Sequence, residues 1–158
     1  MGLYLDVETT YQGELTVIGL HHAALGTVQL VGPEITRKNL EAALPPAICI
    51  YTFDGERNDL RIIREQLGLD LGCRFRSVDL LHLCHQANLY GGLKQVEERL
   101  GIPRKLSGLS GRDAAHLCYT YQKTGDAEAL ETLLAYNRED VENLAILRDR
   151  LEARLSRC

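Results

Sequence analysis

Two acidic residues stand within the first apolar segment of the chain, and they constrain its fold more than any other feature. Residues 3–8 read Leu-Tyr-Leu-Asp-Val-Glu, and the alternation predicts a strand with leucine and valine on one face. Period 2 then places Asp6 and Glu8 side by side on the other face. Two carboxylates this close repel each other unless a cation lies between them. Such a strand is either open to water on that face or built to hold metal.

The composition is that of a folded domain with a mildly acidic charge balance. The chain has 158 residues, of which 45% are hydrophobic and 25% charged, and its net charge is −4. This length suits one domain, and we assign residues 1–158 to it. The acidic balance argues against a generic basic nucleic-acid binder. It does not exclude an enzyme that acts on nucleic acid, because carboxylates that hold divalent cations can accept phosphate.

The cysteine pattern favours reduced thiols. Five cysteines occur without any CxxC pair, which argues against a disulfide framework or a zinc knuckle. Cys158 is expected to be exposed. No apolar run reaches about 18 residues, the minimum for a membrane span, and no signal-peptide pattern precedes the first strand. We therefore expect a cytoplasmic protein.

The order of predicted elements indicates an α/β fold. Strand patterns separated by short turns cover residues 3–8, 14–21 and 26–31, and they favour an antiparallel meander. Further strands at 47–52 and 74–78 alternate with helices at 36–44 and 57–67. This order resembles a ribonuclease H-like fold, with a mixed five-stranded sheet of three antiparallel strands and then parallel strands, flanked by helices. Asp6 and Glu8 would lie on the central strand.

The second half of the chain is predicted to be helical. The helical patterns cover residues 79–86, 93–100, 111–123 and 126–156. We expect the last of these to be broken near Leu134–Asn137. The segment Pro103–Ser110 is basic and rich in small residues, which predicts a mobile loop.

Two further acidic motifs lie far from the first strand. Asp59 falls in the first turn of a predicted helix, where the helix N-terminus stabilises negative charge, although a simple helix cap by Asp59 or Asn58 is an alternative. Tyr136 and Asp140 are four residues apart and share one helix face. A phenol beside a metal-bound carboxylate can orient an attacking water. An ordinary helical pair, with Tyr136 in the core, is the alternative.

Taken in order, these motifs resemble the DEDD exonuclease superfamily in its tyrosine-containing (DEDDy) branch. The histidine branch would need histidine where Ala135 stands. Longer segments are similar to the predicted ribonuclease H-like exonuclease (YprB-like) family between about residue 3 and residue 147. These segments are Asp54-Gly55 with Asp59, residues 92–101, residues 111–114, and Tyr136–Asp140 with residues 141–144.

The resemblance implies a metal-dependent 3′–5′ exonuclease that acts on the 3′ end of single-stranded DNA or RNA. By position, Asp6, Glu8, Asp59 and Asp140 would be catalytic carboxylates that bind metal, and Tyr136 would be the catalytic residue that orients water. Two divalent cations, Mg²⁺ or Mn²⁺, would be the cofactors, because hard oxygen ligands select such ions. The second motif departs from the family pattern at Asn58 and at Asp54, and Asp54 could replace or assist Asp59.

Basic and hydroxyl side chains near these motifs are candidates for contacting the substrate. We assign Thr9 and Lys94 as substrate-binding residues. Lys94, Arg104, Lys105 and Arg112 could contact phosphates, although solvated surface charge is the more common role for any one of them.

Other functions stay open at this point. The main alternative is a non-catalytic nucleic-acid-binding or interaction module with the same fold, working with a partner helicase or nuclease. A related endonuclease is a third possibility. His82 and His85 lack a second ligand pair and are interpreted as packing or surface residues. Asp79 and Asp113 are interpreted as helix caps.

Overall fold

The computed structural model describes residues 2–156 of the chain. The strands are β1 Gly2–Thr9, β2 Leu15–His22, β3 Gly26–Val31, β4 Cys49–Thr52 and β5 Arg76–Asp79. The helices are α1 Arg37–Ala43, α2 Asp59–Leu67, α3 Leu80–Gln86, α4 Leu93–Arg99, α5 Gly111–Thr124 and α6 Ala127–Leu155. Cys158 and both ends of the predicted domain 1–158 lie outside the described residues.

The five strands form one mixed sheet in the order β3-β2-β1-β4-β5. β1 pairs antiparallel with β2, and β2 with β3, whereas β1–β4 and β4–β5 are parallel. The predicted mixed sheet is confirmed, and so is the position of Asp6 and Glu8 on the central strand. Strands β2 and β3 lie on one side of β1, and the later strands β4 and β5 lie on its other side. The region between β1 and β4 is therefore a switch point, where open α/β sheets bind ligands.

Alternation along β1 divides its side chains between two cores. Leu3 and Leu5 are fully buried and pack with residues of α1 and α2. Tyr4 packs on the opposite face with residues of α3, α4 and α6. Asp6 and Glu8 share the face of Tyr4 because they are two and four residues further along the strand. The predicted separation of apolar and acidic faces is thus confirmed.

Helix α6 is continuous over 29 residues. The predicted break near Leu134–Asn137 is wrong. That segment contains neither glycine nor proline, and Tyr136 and Asn137 are buried on the side of the helix that faces the sheet. The side chain of Asp126 accepts hydrogen bonds from two backbone N–H groups and caps the helix start. The unbroken helix carries Asp140 onto the same face as Tyr136.

Two smaller differences from the sequence prediction concern element boundaries. Helix α2 begins at Asp59, two residues later than predicted, after a turn in which Asp54 has a φ of 57°. Strand β5 is shifted toward Asp79, which ends the strand and caps α3. Within residues 2–156, no helix combines the length and the apolar character needed to cross a membrane.

Candidate metal centre

Three carboxylates from β1 and α6 meet on one face of the central strand. Asp6 and Glu8 come from β1, Asp140 comes from α6, and one oxygen of each lies within 4.8 Å of the others. Glu8 and Asp140 are buried, and Asp6 is partly buried. Among the described residues, no other cluster of three or more His, Cys, Asp or Glu side chains has this geometry. We call Asp6, Glu8 and Asp140 the carboxylate cluster.

Burial raises the pKa of every carboxyl group in the carboxylate cluster, and repulsion from other members of the cluster adds to this at Asp6 and Glu8. The pKa of Asp6 lies well above its usual value, because of burial first and then of Glu8 and Asp140. The pKa of Glu8 rises to about 8, again mainly through burial. Burial also raises the pKa of Asp140, although Arg104 opposes it. The deprotonated groups therefore favour a cation, and their hard oxygen atoms suit Mg²⁺ or Mn²⁺.

Asp59, the predicted fourth carboxylate, lies near the carboxylate cluster but is not one of its three members. It is the first residue of α2 and is buried. Burial raises its pKa to about 7, while a hydrogen bond from the Val7 backbone lowers it. Its charge also raises the pKa of Asp6, which shows that it is near. Its oxygen atoms do not join the group of three within 4.8 Å, and its role as a ligand stays a prediction.

Asp54 interacts with its own turn. Its carboxylate accepts a hydrogen bond of 3.0 Å from the Asn58 amide and lies 4.0 Å from the Arg57 guanidinium. Its backbone N–H donates to Asp79 at 2.8 Å. Asn58 precedes α2 without a side-chain capping bond, because its amide is turned toward Asp54. These contacts give Asp54 a local structural role next to Asp59.

Tyr136 lies against the carboxylate cluster from the same helix as Asp140. The side chain is buried, with 4% of the residue exposed. Burial raises the pKa of its hydroxyl, and the charges of Asp140, Glu8 and Asp6 add to the effect. The phenol therefore keeps its proton at neutral pH. It can donate or accept a hydrogen bond, but it is a poor general base.

The two predicted substrate-binding residues differ in their surroundings. The Lys94 ammonium lies 4.4 Å from the centroid of the Tyr136 ring. Among the described residues, it is buried without a hydrogen-bond partner, and burial and then Arg104 lower its pKa. Thr9 ends β1, directly after an irregularity in the pairing with β2. Lys94 is thus a cation beside the carboxylate cluster with its donors free.

Asn137 was missed by the sequence prediction, although it supports Asp6 directly. Its amide donates to the Asp6 carboxylate at 2.9 Å and to the Asp6 carbonyl at 3.2 Å. Its amide oxygen accepts from Gln29 at 2.9 Å. Gly19 gives it room, since an added Cβ would lie 2.2 Å from the Asn137 oxygen. The only signal in the sequence is that Asn137 and Asp140 are three apart and share a helix face.

The remaining polar candidates follow the simpler interpretations, with one exception. His82 and His85 are exposed and belong to no metal-binding group found within residues 2–156. Asp79 caps α3, and Asp113 forms a capping box with Ser110 at the start of α5.

The exception is Arg104. Solvated surface charge is the wrong interpretation for it, because its side chain is only 6% exposed and pairs with Glu97 and Asp140. Lys105 and Arg112 are exposed.

Comparison with known families gives one result. A sequence model described as the RNase_H superfamily matches residues 3–152. No curated protein matches the chain. The matched region includes all of the sheet except its first residue, and it contains the whole carboxylate cluster.

Proposed function

The chain belongs to the RNase H superfamily, and on this premise we propose that it is a metal-dependent 3′–5′ exonuclease that hydrolyses phosphodiester bonds of DNA or RNA. The observation that carries the proposal is the carboxylate cluster on the central strand and α6. Superfamily membership supports a nucleic-acid substrate. The DEDDy resemblance supports the direction of digestion and the choice of the 3′ end of a single strand.

Two divalent cations, Mg²⁺ or Mn²⁺, are the proposed cofactors. Asp6, Glu8 and Asp140 would hold them, with Asp59 as the fourth carboxylate. When bound, such a pair of ions makes water more acidic and stabilises charge on the reacting phosphate. The proposal is supported by the raised pKa values of these four groups, because buried carboxylates without a counter-charge are costly.

The side chains around the cluster have distinct proposed roles. Tyr136 orients the attacking water through its hydroxyl, which keeps its proton because burial raises its pKa. Lys94 attracts a phosphate oxygen of the substrate, since its ammonium lies beside the cluster without a hydrogen-bond partner among the described residues. Thr9 contacts the substrate at the end of β1. Asn137 holds the Asp6 carboxylate in place.

Hydrolysis of end-labelled single-stranded DNA and RNA in Mn²⁺ tests the proposal. We expect products that shorten progressively from the 3′ end, and no products from Asp6→Asn or Glu8→Gln. Glu65→Gln is the matched control, because Glu65 is 54% exposed and paired with Arg61 on α2. Its activity should equal that of the unaltered protein.

Two other outcomes would replace the proposed activity. Cleavage of a circular single strand would identify an endonuclease, since a circle has no 3′ end. Mn²⁺ binding without hydrolysis of any of these substrates would favour a non-catalytic nucleic-acid-binding or interaction module.

A further inference from the structure

A buried ion-pair network joins the carboxylate cluster to the segment that follows α4. The Arg104 side chain is 6% exposed, and its Nη1 donates to Glu97 Oε2 at 2.6 Å. Its Nη2 donates to Asp140 Oδ1. Its Nε lies 3.7 Å from Glu139 Oε2. One guanidinium thus contacts three carboxylates, one of which belongs to the carboxylate cluster.

We infer that Arg104 is a positioning residue that fixes Asp140 for metal binding. This inference rests on the proposed function. The Arg104 guanidinium engages Oδ1 of Asp140 and leaves Oδ2 for a cation. Because a guanidinium is planar and its donors are fixed in a fork, binding Glu97 and Asp140 together sets the direction of both carboxylates. Partners of metal ligands typically change metal affinity by about 10- to 100-fold when they are removed.

Glu97 holds Arg104 independently of Asp140. It is fully buried within α4, and its Oε2 accepts the 2.6 Å hydrogen bond from Arg104. A buried carboxylate without a counter-charge is strongly unfavourable, so this pair keeps the guanidinium in place whether or not Asp140 also binds a cation. Arg104 therefore has a fixed anchor on one side and a metal ligand on the other.

The backbone next to Arg104 is also attached to α6. The N–H groups of Lys105 and Leu106 donate to the two carboxylate oxygens of Glu139, the residue before Asp140. The Asn143 amide donates to the Pro103 carbonyl at 3.4 Å. These contacts hold residues 103–106 on the helix, although the sequence predicts a mobile loop there. The segment that carries Arg104 is thus attached to the same helix as Asp140.

Arg104 differs from Lys94 in what its donors do. Both Nη atoms of Arg104 are occupied by carboxylates, whereas the Lys94 ammonium has no hydrogen-bond partner among the described residues. An ammonium without a hydrogen-bond partner suits a substrate phosphate. A guanidinium whose two Nη atoms bind carboxylates suits orientation of a carboxylate, even though the Arg104 Nε has no hydrogen-bond partner among the described residues. The geometry therefore separates the two cations by role.

Calorimetric Mn²⁺ titration of Arg104→Lys tests the inference. Lysine keeps the charge but lacks the fork that binds Glu97 and Asp140 together, so we expect Mn²⁺ affinity to fall about tenfold or more. Activity at saturating Mn²⁺ should recover most of its original value, because excess Mn²⁺ fills the weakened site and both Nη atoms of Arg104 are bound to carboxylates of the protein. Arg61→Lys is the matched control, since Arg61 forms an exposed pair with Glu65. It should bind Mn²⁺ as the unaltered protein does.

A second variant guards against misfolding of the first. Glu97→Met with Arg104→Met removes both buried charges at once, an exchange that is often neutral for stability. With thermal unfolding in EDTA as the check on folding, this double variant should show the same loss of Mn²⁺ affinity. Unchanged Mn²⁺ affinity in a folded variant would overturn the positioning role and leave the proposed function standing. Absence of Mn²⁺ binding by the unaltered protein would overturn the metal site, and this inference with it.

Discussion

The stability of the metal-free protein should fall as pH rises, in contrast to the usual behaviour of paired carboxylates. The pKa of Glu8 is about 8 in the folded protein and about 4.3 in an unfolded chain. Between these values the folded state binds more protons than the unfolded state, so the free energy of unfolding decreases with pH. One such group contributes about 1.4 kcal/mol per pH unit. From about pH 5.5 to about pH 7.5, Glu8 alone accounts for roughly 2 to 3 kcal/mol.

Urea unfolding in EDTA, measured at intervals across this pH range, checks the magnitude. Glu8→Gln removes the titrating group, so its free energy of unfolding should fall less steeply than that of the unaltered protein. The comparison of the two proteins removes the contribution of other titrating groups from the pH dependence. One of these is His21, whose pKa is lowered mainly by burial, so its titration makes the free energy of unfolding rise with pH. Glu65→Gln serves as the exposed control. Identical slopes for Glu8→Gln and the unaltered protein would refute the reasoning.

Three further substitutions test the surroundings of the carboxylate cluster. Tyr136→Phe should lower turnover about tenfold or more without changing Mn²⁺ affinity, because it removes the hydroxyl that orients water; single-turnover kinetics and calorimetry separate the two effects. Asn137→Leu should cost about 1 to 3 kcal/mol of unfolding free energy, since Gln29 and Asp6 lose their buried partner, and it should also weaken Mn²⁺ binding. Gly19→Ala should cost a similar amount, about 1 to 3 kcal/mol, because the new Cβ would lie 2.2 Å from the Asn137 oxygen; urea unfolding measures both.

The features that the sequence predicted best are those that depend on local periodicity. The face shared by Asp6 and Glu8 follows from the two-residue period of a strand, which no tertiary contact can change. Short turns predicted the antiparallel strands, and a later apolar run predicted a parallel strand. The central place of β1 was predicted from the resemblance to a ribonuclease H-like fold. The proximity of Asp140 to Asp6 and Glu8 was predicted only from the family resemblance, because no local pattern reports a contact between segments so far apart. Asn137, which lies on the same helix as Asp140, is 131 residues from Asp6, to which it donates a hydrogen bond.

The features that the sequence did not predict depend on packing between distant elements. The sequence predicted a break in α6 near Leu134–Asn137, where the polar Asn137 is buried. In the fold, Asp6 and Gln29 satisfy its amide, and the helix continues. Arg104 was interpreted as a solvated surface charge, because that is the more common role for a single basic residue. Only the folded chain brings Glu97 and Asp140 to either side of its guanidinium.

Asn137 and Arg104 explain how like charges can be held close together in a folded protein. Repulsion within the carboxylate cluster pushes Asp6 and Asp140 apart, and each is held by a donor anchored elsewhere. Asn137 holds Asp6 and is itself fixed by Gln29 on β3, whereas Arg104 holds Asp140 and is fixed by Glu97 on α4. Burial raises the pKa values of all three carboxyl groups, and neither donor supplies enough positive charge to offset it. The fold therefore sets the geometry of the carboxylates and leaves their charge to be balanced by protons or by a cation.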